Sequence, residues 1–344
     1  MARLSIVVPV WNCNRFIKSL LDSIDQQTVD PFEVIFIDGY STDGTAETVK
    51  AYSALKQSVR VLQRPPKGIY NAWNDGVAST MGDFVHIACG DDILRPDLVE
   101  SFQKSSFHFS SRDGFLSWEI DVIDSNDLVV SHAPDWNLKA ELGIDTREPS
   151  RIDGRLEALL LFLFRAYRLS FMSLAFRKKV WAEKPFRTDL GPSADVEWLA
   201  EAFLRGWSTI SIPQTLAAWR VHDASATGGA RRSSRLQAQL ALREQMLDRL
   251  CSGLQLSAGQ GNRLKTISPA IDVYDYLNAI RESRGPAEIC SNVVKAISTA
   301  GVDFIPVLLR KLGLLEGWHY RRPLDQLQAV LGERPVSNFV SPLP

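Results

Sequence analysis

Two adjacent carboxylates, Asp91 and Asp92, directly follow the apolar run at residues 84–89 and a single glycine. An apolar run of this length is typical of a buried strand, and open α/β sheets bind their ligands at the carboxyl ends of their strands. Adjacent carboxylates repel each other, and a divalent cation is the usual reason to hold them together. The pair therefore predicts a metal site, with a solvated turn and helix N-cap as the alternative.

Other residues with binding chemistry stand at equivalent places. Asp38 ends a second apolar run at residues 32–37, and because neighbouring parallel strands end at one crevice, Asp38 and Asp91 are predicted to line one ligand site. An Asx turn into the following glycine is the alternative for Asp38. Lys67 and Gly68 precede a helical pattern, whose unpaired N–H groups beside a lysine charge suit a phosphate-bearing ligand.

The elements that must position these residues alternate between strand and helix. Apolar runs predict strands at 4–10, 32–37, 59–62 and 84–89, each separated by a helical pattern. This alternation predicts βαβ units and hence an α/β fold with a mostly parallel sheet flanked by helices. Further strands are predicted at 114–119, 173–176, 208–212 and 216–221, and further helices at 157–167 and 194–205. The polar stretch 121–151 is either a substrate loop or irregular surface.

The composition is that of an ordinary globular protein, with 344 residues, 45% hydrophobic and 23% charged. The formal net charge of −1 gives no general attraction to nucleic acid. A glycine-rich segment at 226–230 predicts a boundary between a domain at residues 1–230 and a helical C-terminal extension at residues 231–344. The extension carries 15 Lys and Arg against 10 Asp and Glu. It is predicted either to dock on an anionic membrane or to serve as a packed appendage or dimer contact.

The cysteines and the apolar segments favour a cytoplasmic chain. The four cysteines are far apart in the sequence and lack metal-ligand spacing, which favours reduced thiols. A predicted strand begins at residue 4, so no signal peptide is expected. The apolar segments at 159–164 and 304–309 are too short to span a bilayer, and peripheral association at the inner face of the plasma membrane stays open.

Five segments in this order resemble the family 2 glycosyltransferases, over roughly residues 3 to 228. The segments are Ile-Val-Val-Pro-Val-Trp-Asn at 6–12, Asp-Gly-Tyr-Ser-Thr-Asp-Gly-Thr at 38–45, Lys-Gly-Ile-Tyr-Asn-Ala at 67–72, Gly-Asp at 82–83 and Gly-Asp-Asp at 90–92. The resemblance implies the GT-A fold and inverting transfer from a nucleotide-sugar donor. Within the family the chain is most similar to the bacterial branch that makes colanic-acid-like and other surface polysaccharides, lipopolysaccharide among them.

The resemblance also implies roles for individual residues. Asp195 corresponds to the catalytic base, with Glu197 as the second choice, and Cys89 stands where the first acid of the family's Asp-x-Asp motif would be. Mn²⁺ or Mg²⁺ is the implied cofactor, with Asp91, Asp92 and His222 as its ligands. The implied donor-binding residues are Pro9, Asp38, Lys67, Gly68, Asn74, Asp91, Arg220 and His222. Asp38 corresponds to the acid that contacts the base or ribose, and Arg220 and His222 belong to a segment that closes over the diphosphate.

The leading hypothesis is therefore a metal-dependent inverting transferase. It would move a sugar from a UDP-, GDP- or dTDP-linked donor to a hydroxyl of a glycan or lipid-linked acceptor. A nucleotidyltransferase is one alternative, although it would require a glycine-rich basic loop after the first strand. A non-catalytic degenerate transferase that acts as a scaffold is the other. The sequence leaves the donor sugar, acceptor, linkage and oligomeric state open.

Overall fold

The computed structural model describes residues 2–132, 148–164, 170–191, 194–222, 245–264, 285–300, 328, 330–332 and 336–343. Its strands are β1 (Leu4–Val10), β2 (Glu33–Asp38), β3 (Val59–Gln63), β4 (Phe84–Ile87), β5 (Ile93–Leu94), β6 (Asp113–Ile123), β7 (Val129–His132), β8 (Ser150–Ile152), β9 (Leu174–Arg177), β10 (Ser208–Arg220) and β11 (Val340–Pro342). Its helices are α1 (Asn14–Asp25), α2 (Thr45–Ala54), α3 (Ile69–Ser79), α4 (Leu98–Ser106), α5 (Gly154–Phe164), α6 (Lys178–Glu183), α7 (Ala194–Leu204) and α8 (Pro286–Ala300). Residues 245–253 and 258–264 are also helical.

One mixed sheet connects all the strands, and it confirms the predicted α/β fold. The strand order is β11-β8-β10-β6-β9-β4-β1-β2-β3, with β5 paired to β10 and β7 paired to β6. The predicted parallel pairing holds for β1 with β2 and β4, for β2 with β3, and for β6 with β10. The remaining pairs are antiparallel. Because β9 is antiparallel to both β4 and β6, β1, β2, β4, β6 and β10 all end at the same edge of the sheet.

Helices cover both faces of this sheet, because its central strands are apolar on both sides. On β1, Ile6 and Val8 belong to a core with α1, α2 and α4, whereas Val7 belongs to a second core with α3, α5 and α7. Helix α3 lies close enough to the sheet that a Cβ at Gly76 would fall 2.3 Å from Val7 Cγ1. Glycine is required there, and the close approach fixes α3 relative to β1.

Several elements differ from the sequence prediction. The predicted strands at 208–212 and 216–221 are a single strand, β10, whose register against β6 shifts at residues 211–217. Strands β5, β7 and β8 are only two to four residues long and lie in polar or irregular sequence, so no alternating pattern marks them. They form because longer strands already offer free edges for hydrogen bonding.

The described residues beyond 231 are not all helical. Strand β11 pairs antiparallel with β8, and Leu250, Leu254 and Phe339 are buried in the core that covers α7. The predicted boundary at residue 230 lies outside the described residues and stays a prediction. The sequence patterns at 271–281 and 302–312 also predict helices, and both segments lie outside the described residues as well. No helix within the described ranges is long and apolar enough to cross a membrane.

Candidate active site

A cluster of one thiol and two carboxylates lies at the carboxyl end of β4. Cys89, Asp91 and Asp92 each offer a ligand atom, and these atoms lie within 4.8 Å of one another. Asp92 is only 1% exposed, while Cys89 and Asp91 are partly exposed. The structure therefore brings the two acids predicted from the sequence to one point and adds the thiol that precedes them.

Burial and mutual repulsion dominate the electrostatics of this cluster. Desolvation, reinforced by the charge of Asp91, raises the pKa of Asp92 well above its ordinary value. Desolvation and the charges of Asp92 and Asp91 likewise raise the pKa of Cys89. Asp92 Oδ1 accepts a hydrogen bond from the Arg220 backbone N–H at 2.8 Å, whereas Oδ2 is buried without a hydrogen-bond partner among the described residues.

These residues fit a divalent cation. Carboxylate oxygens suit Mg²⁺ and Mn²⁺, and a cation would remove both the repulsion and the unsatisfied Asp92 oxygen. His222 adds an imidazole, since its Nε2 lies 2.9 Å from Asp91 Oδ2 and its side chain is only 11% exposed. The His222 ring packs against Phe16 with ring centroids 4.7 Å apart, so the histidine is held beside the cluster by packing as well as by Asp91.

Arg220 lies near this cluster, but its guanidinium is buried and already bonded. Its Nε donates to the Asp91 carbonyl at 2.6 Å, and its Nη1 donates to the Asp124 carbonyl at 2.8 Å. Nη1 also forms an ion pair with Asp127 at 2.5 Å, with the Arg220 side chain 0% exposed. The predicted contact of Arg220 with a donor diphosphate stays a prediction, and the contacts seen here give this side chain a different task.

Asp38 ends β2 at the same edge and is fully buried. Its Oδ1 accepts from the Ser41 backbone N–H at 3.1 Å, and its Oδ2 accepts from Gln63 Nε2 at 2.9 Å. Asp38 Oδ1 therefore binds the loop that follows β2 through the N–H three residues on, and the Asx turn considered as the alternative stays a prediction. Because Oδ1 holds the loop that follows β2 and Oδ2 holds the end of β3, a donor contact by Asp38 would have to share these acceptors.

Two aromatic residues that sequence reasoning did not select flank this loop. Trp11, after β1, is 65% exposed, and Tyr40, after β2, is 54% exposed. A Cβ at Gly39 would lie 3.2 Å from Trp11 Cδ1, so the indole rests against the chain just beyond Asp38. Tyr40 has a φ of 57°, a left-handed conformation that is rare for an aromatic residue and is typical of strained functional loops.

Lys67 and Gly68 stand at the amino end of α3, which follows the carboxyl end of β3. Both are exposed, and Gly68 has a φ of 108°, which only glycine adopts readily. The structure thus presents a helix N-terminus and an exposed lysine at the edge where the cluster lies. Pro9 sits in β1 opposite Ile37 of β2 and is partly buried.

Asn74, in α3, has a different set of contacts. Its side-chain nitrogen donates to the Phe186 carbonyl at 2.8 Å. Its side-chain oxygen accepts from the Phe186 backbone N–H at 3.0 Å and from Trp181 Nε1 at 2.8 Å. These bonds fasten α3 to the segment after α6. The assignment of Asn74 to donor binding stays a prediction, while its observed bonds are structural.

Asp195 and Glu197 lie in the first turn of α7, and the structure distinguishes them. Asp195 is partly exposed, whereas Glu197 is 4% exposed and forms an ion pair with Lys184 at 2.5 Å. Helix α7 leads through the turn at Gly206 into β10, and its Trp198 and Phe203 both pack on Phe115 near the start of β6. The assignment of Asp195 as the catalytic base stays a prediction.

Comparison with known proteins places these residues in a family context. The model of glycosyl transferase family 2 matches residues 5–106, a range that contains Asp38, Cys89, Asp91 and Asp92. The chondroitin synthase of Pasteurella multocida is 35% identical over 96 residues, which are 28% of this chain and 10% of that protein. The glycosyltransferase GlyG of Streptococcus pneumoniae is 31% identical over 99 residues, 28% of this chain and 33% of that protein.

The chain thus spans a third or less of the length of these curated relatives. Among solved structures, S. aureus TarS 1–349 in complex with UDP-GlcNAc aligns with a TM-score of 0.60 at 15% identity, covering 92% of this chain and 93% of TarS 1–349. The mannosyltransferase PcManGT of Pyrobaculum calidifontis, in complex with GDP-Man and Mn²⁺, aligns with a TM-score of 0.50 at 16% identity, covering 96% of this chain and 85% of that chain. These likenesses establish the GT-A fold, and the match at residues 5–106 establishes a glycosyl transferase family 2 domain.

Proposed function

We propose that this chain, which carries a glycosyl transferase family 2 domain, is an inverting transferase that moves a sugar from a nucleoside-diphosphate donor to a hydroxyl group. The observation that carries the proposal is the cluster of Cys89, Asp91, Asp92 and His222 at the carboxyl edge of the sheet. A bound Mn²⁺ or Mg²⁺ would supply positive charge to a leaving diphosphate. Asp91 and His222 are the ligands best placed to hold it, with Asp92 behind them.

The surrounding residues support the same reaction. Exposed Trp11 offers a flat apolar surface beside Asp38, which suits a nucleobase. Lys67 and the amino end of α3 offer positive charge and a helix N-terminus to phosphate oxygens. Inverting transfer requires one base that takes the proton from the acceptor hydroxyl as it attacks. We assign this role to Asp195, because Glu197 is buried and one of its carboxylate oxygens pairs with Lys184.

The acceptor is proposed from the relatives alone. Their names include chondroitin and hyaluronan synthases, so a glycan or lipid-linked acceptor in bacterial surface polysaccharide synthesis is the favoured class. The solved structures were obtained with UDP, UDP-GlcNAc and GDP-Man, which supports a UDP- or GDP-linked donor and keeps dTDP-linked sugars in the screen.

The test is a thermal-shift screen of the full chain with UDP-, GDP- and dTDP-linked sugars, with and without Mn²⁺. A ligand at 100 times its Kd stabilises the folded protein by about 2.7 kcal/mol, which gives a readily measured shift. We expect one donor class to stabilise the wild type only in the presence of Mn²⁺. The Asp91→Asn variant should lose this shift, whereas Asp97→Asn, a change at an exposed residue directly before α4, should keep it.

Product formation is measured in the same samples with the stabilising donor and a panel of glycan and lipid-linked acceptors. Sugar transfer by the wild type and its absence in Asp91→Asn would support the proposal. Full activity in EDTA, or in Asp91→Asn, would refute the metal role. Stabilisation by a bare nucleoside triphosphate together with nucleotidyl transfer would favour the alternative function.

Peripheral attachment to the inner face of the plasma membrane is a further part of the proposal. It rests on the excess of Lys and Arg after residue 231 and on the exposed apolar side chain of Val294 in α8. We expect the full chain to bind vesicles that contain anionic phospholipid and to dissociate as salt screens the charges. Equal binding to neutral vesicles, or none at low salt, would contradict this attachment.

A further inference from the structure

Arg220 ends β10 at the candidate active site, yet the fully buried guanidinium faces the protein. Three groups of the chain surround it: the Asp91 carbonyl at 2.6 Å, the Asp124 carbonyl at 2.8 Å and the Asp127 carboxylate at 2.5 Å. Its carbon Cζ also lies 4.7 Å from the centroid of the Phe16 ring. The side chain is 0% exposed and so presents no accessible surface to a donor phosphate, while its Nη2 is buried without a hydrogen-bond partner among the described residues.

The bonds of Arg220 connect two loops that are far apart in sequence. Its backbone N–H donates to Asp92 Oδ1 at 2.8 Å and its side chain holds the Asp91 carbonyl, so both acids of the cluster are tied to the same residue. The remaining bonds reach the turn at 124–128, between β6 and β7. That turn is closed by Asp124, whose Oδ1 accepts from the backbone N–H groups of Asn126 at 2.8 Å and Leu128 at 3.1 Å.

The turn also pairs with a residue outside it. Asp127 has a φ of 65°, a left-handed conformation that is uncommon for a residue other than glycine. Its side chain is 52% exposed, and it pairs with a guanidinium that is 0% exposed. The pair therefore joins an exposed, strained turn to the buried side of the carboxylate cluster. A planar, five-donor guanidinium can serve two carbonyls and a carboxylate at once, which an ammonium cannot.

We propose that Arg220 is a positioning residue, which orients the Asp91–Asp92 peptide toward the metal site and couples it to the turn at 124–128, and that it does not bind the donor diphosphate. This inference rests on the proposed function only for the metal. The clamp formed by Arg220, Asp127 and the two carbonyls predicts local structural effects whether or not a metal binds.

Three variants of the full chain test it. Arg220→Lys keeps the charge but removes the planar fork. Asp127→Asn removes only the exposed partner, and it provides the test if Arg220→Lys does not fold. Arg151→Lys is the matched control, because Arg151 lies at the opposite edge of the sheet and makes the same kinds of bond. Its Nε donates to the buried Asp113 carboxylate at 2.9 Å, and its Nη2 donates to the His108 carbonyl at 2.9 Å.

The first measurement is hydrogen–deuterium exchange followed by mass spectrometry. In Arg220→Lys, we expect faster exchange in two peptides together, those that cover residues 89–93 and 124–128. Asp127→Asn should accelerate the 124–128 peptide and, more weakly, the 89–93 peptide. Arg151→Lys should accelerate only the region around residue 110. Unchanged exchange at 89–93 in both Arg220→Lys and Asp127→Asn would overturn the proposed coupling.

The second measurement is the affinity of the protein for Mn²⁺ in the absence of a donor. The electron paramagnetic resonance signal of unbound Mn²⁺ reports this affinity. Loss of a partner that orients metal ligands weakens metal binding by about 10- to 100-fold, and this is the loss expected for Arg220→Lys. Asp127→Asn should lose about 2- to 5-fold, as for a partly exposed ion pair. Arg151→Lys should bind Mn²⁺ with the affinity of the wild type, even if its melting temperature falls as far as that of Arg220→Lys.

The outcomes separate this inference from the proposed function. If Arg220→Lys binds Mn²⁺ as the wild type does but loses affinity for the nucleotide-sugar, Arg220 is a donor ligand and the positioning role is wrong. If the wild type binds no Mn²⁺, the metal part of the proposed function fails. Exchange at residues 89–93 then decides the clamp by itself, with coupled acceleration supporting it and no change refuting it.

Discussion

His86 provides a sensitive probe of the strand that carries the candidate active site. It lies in β4, two residues from its amino end, and is 0% exposed. Its Nδ1 is 2.8 Å from the Leu174 carbonyl oxygen. Because a carbonyl only accepts, Nδ1 carries the hydrogen of a neutral imidazole. Its ring packs edge-on against Trp118 with centroids 5.1 Å apart. Burial lowers the pKa of His86 from 6.5 to about 4.

The size of the expected effect follows from this shift. Above pH 6.5 neither the folded nor the unfolded chain protonates this histidine, so the stability is unaffected. Below pH 6.5 the unfolded chain binds a proton that the folded chain excludes, and the free energy of unfolding falls by about 1.4 kcal/mol per pH unit. The fall continues until pH reaches the folded pKa of about 4. The total loss attributable to His86 is therefore about 3 kcal/mol.

The assay is urea unfolding of the wild type and of His86→Gln at intervals from pH 7.5 to 4. Asp92, whose pKa is raised by burial, favours the folded state as pH falls and so acts in the opposite direction. It is present in both proteins, so the difference between their stabilities isolates His86. We expect the free energy of unfolding of the wild type, relative to that of His86→Gln, to fall by about 3 kcal/mol between pH 7.5 and 4. His108→Gln, in a surface turn, serves as the control and should follow the wild type.

A parallel pH dependence in wild type and His86→Gln would refute the reasoning. It would mean that β4 opens enough for His86 to take up a proton in the folded state. In that case the strand that leads to Asp91 would be looser than its burial indicates. The fixed geometry assumed for the carboxylate cluster would then have to be abandoned.

The remaining predictions concern the base and the packing of the fold. Asp195→Asn should lower kcat by about 10²- to 10⁴-fold with little change in donor affinity, measured by steady-state kinetics, and normal turnover would move the base elsewhere. Glu197→Gln should retain turnover but lower the melting temperature, because it removes the nearer of the two carboxylates that pair with Lys184; a dead but stable Glu197→Gln enzyme would reverse the assignment. Phe339→Ala should cost about 3–5 kcal/mol in urea unfolding, and an unchanged midpoint would show that the C-terminal segment is not part of the core. Gly76→Ala should destabilise the protein by more than 1 kcal/mol through the clash with β1, and a neutral result would mean that α3 can shift.

Phe339 also bears on how the C-terminal segment can be studied. Truncation near residue 230 would remove β11 and the buried side chains of Leu250 and Leu254, which pack into the shared core. A truncated chain would therefore report on folding rather than on membrane attachment. Substitution of exposed basic residues in the full chain is the better experiment.

The amino-acid sequence by itself determined the first half of the fold and the location of the carboxylates. Strands β1, β2 and β4 are mostly apolar runs, and β3 is a shorter, mixed one. Their alternation with helices predicts buried parallel strands. The acids then follow at the strand ends, where the sheet must leave an open edge. Asp38, Asp91 and Asp92 were found for this reason, since a polar residue directly after a buried strand is visible without any tertiary contact.

Only the tertiary structure decided what those residues touch. Short strands such as β5, β8 and β11 exist because longer strands offer hydrogen-bonding edges, and two to four residues carry no periodic signal of their own. The same holds for Arg220, whose sequence context resembles a phosphate-binding segment. Its guanidinium is committed to residues about 95 to 130 positions away, whose nearness depends on the pairing of β6 with β10. Local sequence specifies which chemical groups are present, whereas long-range packing determines whether they face a ligand or the protein itself.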